Sequence, residues 1–68
     1  MRISARNQIK GTVKEVKKGA TTAHVVVDIG GQVVTSSITN ESVDGLGIKA
    51  GSSVYVVIKA SDVMIGVD

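Results

Sequence analysis

Hydrophobic and polar residues alternate along most of this 68-residue chain with the two-residue period of a β-strand. Near the start, Ile9, Gly11 and Val13 occupy odd-numbered positions and so share one face of a strand. The next apolar residue, Val16, occupies an even-numbered position and would face the other way. A slip of this kind within one strand predicts a bulge or bend, which curves a sheet toward closure.

The same alternation continues in further short runs. Strands are predicted at residues 9–16, 23–29, 32–38, 53–60 and 62–67. Lys17-Lys18-Gly19 is predicted as the first turn, and Gly30-Gly31 is a strong two-residue hairpin signal. Residues 39–47 combine a capping Thr39 or Asn40 with a terminating glycine, which predicts one short helical turn.

Five short strands with a helical turn between the third and fourth predict an all-β fold. The order matches a small five-stranded Greek-key barrel of the OB type. A six-stranded SH3-like barrel is the nearest alternative, and periodicity alone does not separate the two. Because no linker, repeat or low-complexity stretch interrupts the chain, residues 1–68 are predicted to form a single domain.

Composition indicates that this domain needs a partner. Apolar residues make up 43% of the chain and are mostly Val and Ile, while Tyr55 is the only aromatic residue. Chains this short bury only about 60% of their unfolded surface and usually depend on a disulfide, a metal or a second subunit. Cysteine is absent and His24 is the single histidine, so we expect no metal site and predict a homo-oligomer.

The charge pattern is only mildly basic, with a formal net charge of +2. Lys10, Lys14, Lys17 and Lys18 are expected to form a solvated strand face, and His24 an ordinary packed or surface position. The alternative function, a nucleic-acid-binding OB module, would use such lysines on the backbone but would also need aromatic side chains for stacking. No apolar stretch has the length of a membrane span or the character of a secretory signal, so we expect a cytoplasmic protein without membrane association.

Three polar clusters stand at the ends of predicted elements, where a barrel of this type places its ligands. They are Ser4-Ala5-Arg6-Asn7, the segment from Thr39 to Ser42, and Lys59-Ala60-Ser61. Together they offer two cationic side chains, several hydroxyls and main-chain N–H groups, and no cluster requires a carboxylate.

A pocket that contains only hydrogen-bond donors selects its ligand by protonation state. It suits a fully deprotonated tetrahedral dianion and disfavours an anion whose own proton needs an acceptor. Phosphate is partly protonated near neutral pH, whereas molybdate, tungstate and sulfate are not. No nucleophile elbow, HExxH or Walker pattern accompanies these residues, and the clusters lack a general base, so we expect no enzyme.

The segments "ISARNQIKGTV", "ITNESV" and "VIKASDVMIGV" resemble the molbindin family, the small molybdate-binding proteins related to the transport-associated OB domain. The resemblance covers essentially the whole chain. It implies OB-like subunits that assemble as hexamers, trimers of dimers, and that hold molybdate or tungstate between subunits without an organic cofactor. It further implies intracellular storage or buffering of the oxyanion in molybdenum homeostasis.

The resemblance also implies the binding residues. By the family's pattern they are Ser4, Arg6, Thr39, Ser42, Lys59 and Ala60, with Ala5 and Asn7 in the remaining motif positions. Asn7 is expected to orient the loop more than to contact the ligand.

Overall fold

The computed structural model describes all 68 residues. The chain forms four strands, one α-helix and one 3-10 turn, joined by loops. The strands are β1 (Asn7–Lys18), β2 (Thr22–Asp28), β3 (Val33–Thr39) and β4 (Ser53–Ile58). The helix α1 spans Asn40–Leu46, and the 3-10 turn spans Ala60–Asp62. Neither helical segment has the length and apolar character needed to cross a membrane.

The strands form one antiparallel sheet in the order β3-β2-β1-β4. Strand β1 is central because its first half pairs with β4, from Asn7 opposite Ile58 to Thr12 opposite Ser53. Its second half pairs with β2, ending with Lys18 opposite Ala23. The sheet therefore curls into an OB-like half-barrel, and β3 and β4 are left as its two edges.

The bend in β1 lies where the hydrophobic pattern slips. The pairing with β2 shifts register between Val13 and Glu15, so one residue of β1 is left out of the ladder. Val13 is fully buried on the inner face, and Val16 returns to that face after the shift. The predicted bulge is confirmed.

The Gly30-Gly31 turn between β2 and β3 is stabilised by a carboxylate. Both glycines adopt positive φ angles, 106° and 94°, which residues with a Cβ rarely adopt. Their N–H groups donate to Asp28 Oδ1 at 2.9 and 3.0 Å. These two hydrogen bonds, with a smaller contribution from Lys14, hold the pKa of Asp28 below its ordinary value.

Helix α1 is longer than the single turn that the sequence predicted. It has seven residues, which is about two turns, between an N-cap at Thr39 and a left-handed C-cap at Gly47. The extension follows from tertiary packing, because Val43 in its middle is buried among the strand valines.

The predicted fifth strand at residues 62–67 is wrong, as is the extension of the fourth strand to residue 60. The chain leaves β4 after Ile58 through the 3-10 turn, and the residues beyond Asp62 pair with no strand. Alternating apolar residues predict an extended chain, but a strand also requires a neighbouring edge to which its backbone can bond. Within its own subunit, this segment pairs with no strand edge.

The core is small, as the chain length implies. Only seven of 68 residues are buried, and six of them form one cluster. The cluster consists of Val13, Ala23, Val25, Val27, Val43 and Val56. Several large apolar side chains stay exposed, among them Leu46, Tyr55 and Met64. The single chain thus presents more apolar surface than its own core absorbs.

We predict that Gly11→Ala destabilises the fold by about 1–3 kcal/mol, the usual cost of overpacking. A Cβ at this position would lie 2.6 Å from Val27 Cγ1 and 2.7 Å from the Asp28 carbonyl oxygen. The free energy of unfolding in urea, at one fixed protein concentration, measures the effect. Gly45→Ala is the matched control, because it meets no atom within 4 Å in α1 and should stabilise the protein by about 0.5–1 kcal/mol. Equal effects from the two substitutions would contradict the prediction.

The Asp28 cap predicts a pH-dependent stability. A folded-state pKa below the ordinary value stabilises the fold above that ordinary value, and the contribution is lost as the pH falls through the folded value. Asp28→Ala should therefore lower the melting temperature near pH 7, and the difference should shrink in acid as the pH falls through the lowered pKa of the folded state. A difference that is the same near pH 7 and in acid would show that the charge has no role in the turn.

Candidate functional site

The first polar cluster lies at the entry to β1. Ala5 is buried and fixes the segment against the barrel, whereas Ser4 and Arg6 are exposed on either side of it. Gln8 Nε2 donates to the Ala5 carbonyl oxygen at 3.0 Å, and Asn7 Nδ2 donates to the Ile58 carbonyl oxygen at 3.2 Å. The Asn7 amide is therefore occupied in tying the loop to β4.

The third cluster, Lys59-Ala60-Ser61, begins at the residue after Ile58 and is therefore next to that contact. Lys59 has an extended backbone and begins the 3-10 turn, and its carbonyl oxygen accepts the Asp62 N–H at 2.9 Å. The side chains of Lys59, Ala60 and Ser61 are exposed. The pairing of Asn7 with Ile58 thus brings the first and third clusters to the same end of β1 within one chain.

The middle cluster marks the junction of β3 and α1. Thr39 Oγ1 accepts the Ser42 N–H at 3.0 Å, and the Thr39 hydroxyl donates to Ser42 Oγ at 2.8 Å. Asn40 joins this junction to the preceding turn, since its N–H donates to the Thr21 carbonyl oxygen at 2.9 Å and its side chain to the Gly19 carbonyl oxygen at 3.0 Å. Thr39 also lies opposite Thr22 in the sheet.

This arrangement separates the middle cluster from the other two. The junction lies beside the last residue of β1, since Lys18 Nζ is 2.6 Å from Asp44 Oδ1 of α1. Asn7 and Ile58 lie at the other end of the same 12-residue strand. One chain therefore joins the first and third clusters but not the second.

The cationic side chains of the clusters have no acidic partner. Lys18–Asp44 is the only salt bridge in the structure, so Arg6 and Lys59 keep their charges uncompensated at the surface. The structure contains no group of three or more His, Asp or Glu side chains able to hold a metal ion. A ligand of this region would be recognised by donors and positive charge.

None of the larger hollows of the single chain is lined by the predicted binding residues. One, of about 490 Å³, lies beside Lys10, Thr12, Asp28 and Ser53. A polar hollow of about 280 Å³ is bordered by His24 and the turn that contains Lys17 and Lys18. Ser4, Arg6, Thr39, Ser42 and Lys59 line neither of them.

Sequence reasoning missed a third hollow, an apolar groove between β3 and β4 of about 190 Å³. Nine of its ten lining residues are hydrophobic, including Tyr55 and Val57 of β4. The sequence carried a signal for this groove in the run Val54-Tyr55-Val56-Val57-Ile58, which would place apolar side chains on both faces of a strand. A strand that is apolar on both faces is typically covered on both faces.

We predict that Thr39→Ala costs about 1 kcal/mol of stability, because it removes the N-cap of α1. Thr39→Ser keeps an acceptor oxygen and should stay close to the parent protein. Ser42→Ala leaves the Ser42 N–H bonded to Thr39 and should also be nearly neutral. Denaturant unfolding of the three variants measures this order, and a neutral Thr39→Ala would contradict the capping role.

A family model and individual relatives both match nearly the whole chain. The model of the TOBE domain matches residues 3–65. Molybdenum-pterin-binding protein 3 from Clostridium pasteurianum is 56% identical over 66 residues, which cover 96% of this chain and 97% of that protein.

Solved structures agree with the sequence comparison. MopII from Clostridium pasteurianum, in an apo form, superposes with a TM-score of 0.91 and 51% identity over 97% of this chain and 100% of that chain. The cytoplasmic molybdate-binding protein ModG, solved with molybdate bound, superposes with a TM-score of 0.93 and 46% identity. That match covers all of this chain and 49% of ModG. The OB-like fold is confirmed over the SH3-like alternative.

Proposed function

The chain belongs to the TOBE-domain family and, within it, to the molbindins, and on this basis we propose that it binds the molybdate ion, or tungstate, for storage and buffering in molybdenum homeostasis. The observation that carries the proposal is the match over the full chain to a protein solved with molybdate bound, at 46% identity. The three donor clusters supply the chemistry that such an anion requires.

Charge and hydrogen bonding assign a role to each residue. Arg6 and Lys59 have no carboxylate partner, so they neutralise the dianion. The Ser4 hydroxyl and the main-chain N–H at Ala60 donate to its oxygens, while Ala5 and Asn7 hold the loop. In the middle cluster Thr39 donates to Ser42, which leaves the Ser42 hydroxyl hydrogen free for the anion.

The site is completed by a second copy of the chain. Within one chain the Thr39–Ser42 junction lies at the far end of β1 from Arg6 and Lys59, so all the predicted binding residues surround one anion only when two subunits meet. Exposed apolar side chains supply the surface for that association. We propose a hexamer built as a trimer of dimers, in which ligand that binds only the assembled form stabilises it.

The ligand is the inorganic ion, although the names of the Clostridium relatives mention molybdenum-pterin. A pterin ring calls for aromatic stacking and for acceptors that receive its N–H groups. The only aromatic residue is Tyr55, which lies at the apolar groove and in none of the polar clusters. We therefore propose no organic cofactor and no resident metal ion.

The remaining assignments rest on the relatives and on the residues present. The relatives are named as binding proteins, and the clusters contain no general base, so we propose a single-domain binding protein without enzymatic activity. ModG is described as cytoplasmic, which supports the same location for this chain.

The alternative function, binding of single-stranded nucleic acid, finds no support. The relatives are proteins of molybdenum binding and transport. The four lysines at positions 10, 14, 17 and 18 are exposed, but the single aromatic residue beside them is Tyr55, opposite Lys10, and one aromatic side chain cannot stack successive bases.

Titration calorimetry with molybdate, tungstate, sulfate and phosphate tests the proposal. We expect molybdate and tungstate to bind far more tightly than phosphate near neutral pH. Arg6→Ala or Lys59→Ala should weaken molybdate binding by about ten- to a hundredfold, the usual effect of losing a charge-assisted hydrogen bond. Arg2→Ala and Lys49→Ala are matched controls, because each removes the same charge outside the clusters and should leave affinity unchanged.

Two results would overturn the proposal. Retained affinity in both Arg6→Ala and Lys59→Ala would place the anion elsewhere. Salt-sensitive binding of a single-stranded oligonucleotide, with no heat from molybdate, would favour the nucleic-acid module.

A further inference from the structure

Asn40 makes contacts that its place in the helix does not explain. The sequence allowed either Thr39 or Asn40 as the N-cap of α1, and the structure has Thr39 as the cap. Asn40 is therefore the first residue inside the helix, where asparagine is a weaker helix former than most residues. Its contribution must come from contacts outside the helix.

Those contacts are made with the turn between β1 and β2. The Asn40 N–H donates to the Thr21 carbonyl oxygen at 2.9 Å, and the side-chain Nδ2 donates to the Gly19 carbonyl oxygen at 3.0 Å. The turn itself is closed by the Gly19 N–H, which donates to the Thr22 carbonyl oxygen at 2.7 Å. Asn40 thus bonds the start of α1 to two carbonyl oxygens of a closed turn.

The orientation of the Asn40 amide is fixed by this contact. A carbonyl oxygen only accepts hydrogen bonds, so the amide nitrogen must face Gly19. The amide oxygen, Oδ1, is then left buried without a hydrogen-bond partner. Burial of an acceptor without a donor is unfavourable, and an apolar or smaller side chain would avoid that penalty. Stability alone therefore does not account for an amide at this position.

A second link joins the same two parts of the fold, but it is a weaker one. Lys18 Nζ lies 2.6 Å from Asp44 Oδ1, and both side chains are largely exposed to solvent. Exposed ion pairs contribute little, because water and salt screen the charges. The Asn40 contacts do not depend on charge and include the main chain, so they set the distance between the turn and the start of α1.

We infer that Asn40 is a positioning residue for the proposed anion site and acts through the hydroxyl groups of Thr39 and Ser42. Thr39 directly precedes Asn40, Ser42 follows it by two residues, and the two hydroxyl groups are joined at 2.8 Å. Because Asn40 is bonded to the turn, this pair of hydroxyls keeps a fixed place relative to the sheet. This role rests on the proposed function, because it concerns how that site is held.

Positioning matters because the two halves of the proposed site come from different copies of the chain. Arg6 and Lys59 lie at one end of β1 and the Thr39–Ser42 pair at the other, so no contact within one chain aligns the pair with the cations. Each half is held in place by its own subunit alone. Binding groups need support that keeps them within about 0.5 Å of the productive geometry.

Asn40→Ala tests the side-chain contact by itself, because the main-chain bond to Thr21 remains and alanine suits a helix. We expect titration calorimetry to show molybdate binding weakened about tenfold, the lower end of the usual effect of losing a supporting contact. Circular dichroism and native mass spectrometry verify the parent fold and assembly. Gly11→Ala is the matched control, because it destabilises the middle of β1 and should leave the affinity unchanged. Asn40→Leu, which is close to asparagine in shape but has no donor, should behave like Asn40→Ala.

Pairs of substitutions separate positioning from a general loss of stability. If Asn40 acts through the middle cluster, Asn40→Ala adds little to the effect of Ser42→Ala but keeps its full effect in combination with Arg6→Ala. A merely structural role would lower the affinity by the same factor in both combinations. That result, or an unchanged affinity of Asn40→Ala, would overturn the inference and leave the proposed function intact. Absence of molybdate binding by the parent protein would overturn both.

Discussion

The pairing of β1 with two different strands is the interaction on which the rest of the structure depends. Its first half bonds to β4 and its second half to β2, with the register shift between Val13 and Glu15 at the change of partner. The bend lets one short sheet enclose a core of six residues, yet leaves both edges open. The same strand sets the separation of the polar clusters, because they lie at its opposite ends.

Small size and donor chemistry act together in this protein. A chain with only seven buried residues gains little free energy of folding from its own core. Its exposed valines and isoleucines favour association with another copy. Oligomerisation would bring together polar clusters that a single fold keeps apart. Arg6 and Lys59 lie at the same end of β1 and have no carboxylate partner, so a dianion bound there would be attracted to both positive charges. Ligand binding and assembly are therefore coupled in the proposed mechanism.

Local features of the fold were predictable because nearest-neighbour chemistry decides them. Gly30-Gly31 has the positive φ angles of its turn, Thr39 caps the helix, and Val16 marks the slip in β1. The assignment of the three clusters to an anion site rests on residue types and on the resemblance to a family, and it stays a prediction. The length of α1 was underestimated, since its second turn depends on the burial of Val43.

By itself, the sequence determined the β-rich class, the bulge, the turns and the positions of the donor-bearing segments, because period, turn residues and hydrogen-bonding capacity are properties of neighbouring residues. Only the tertiary structure decided which segments meet. It joined Asn7 to Ile58, kept Thr39 at the other end of β1, and left residues 63–67 without a partner. The physical reason is that strand pairing is non-local: an alternating pattern specifies an extended chain with one apolar face, whereas the edge that receives it is set by the curvature of the whole sheet.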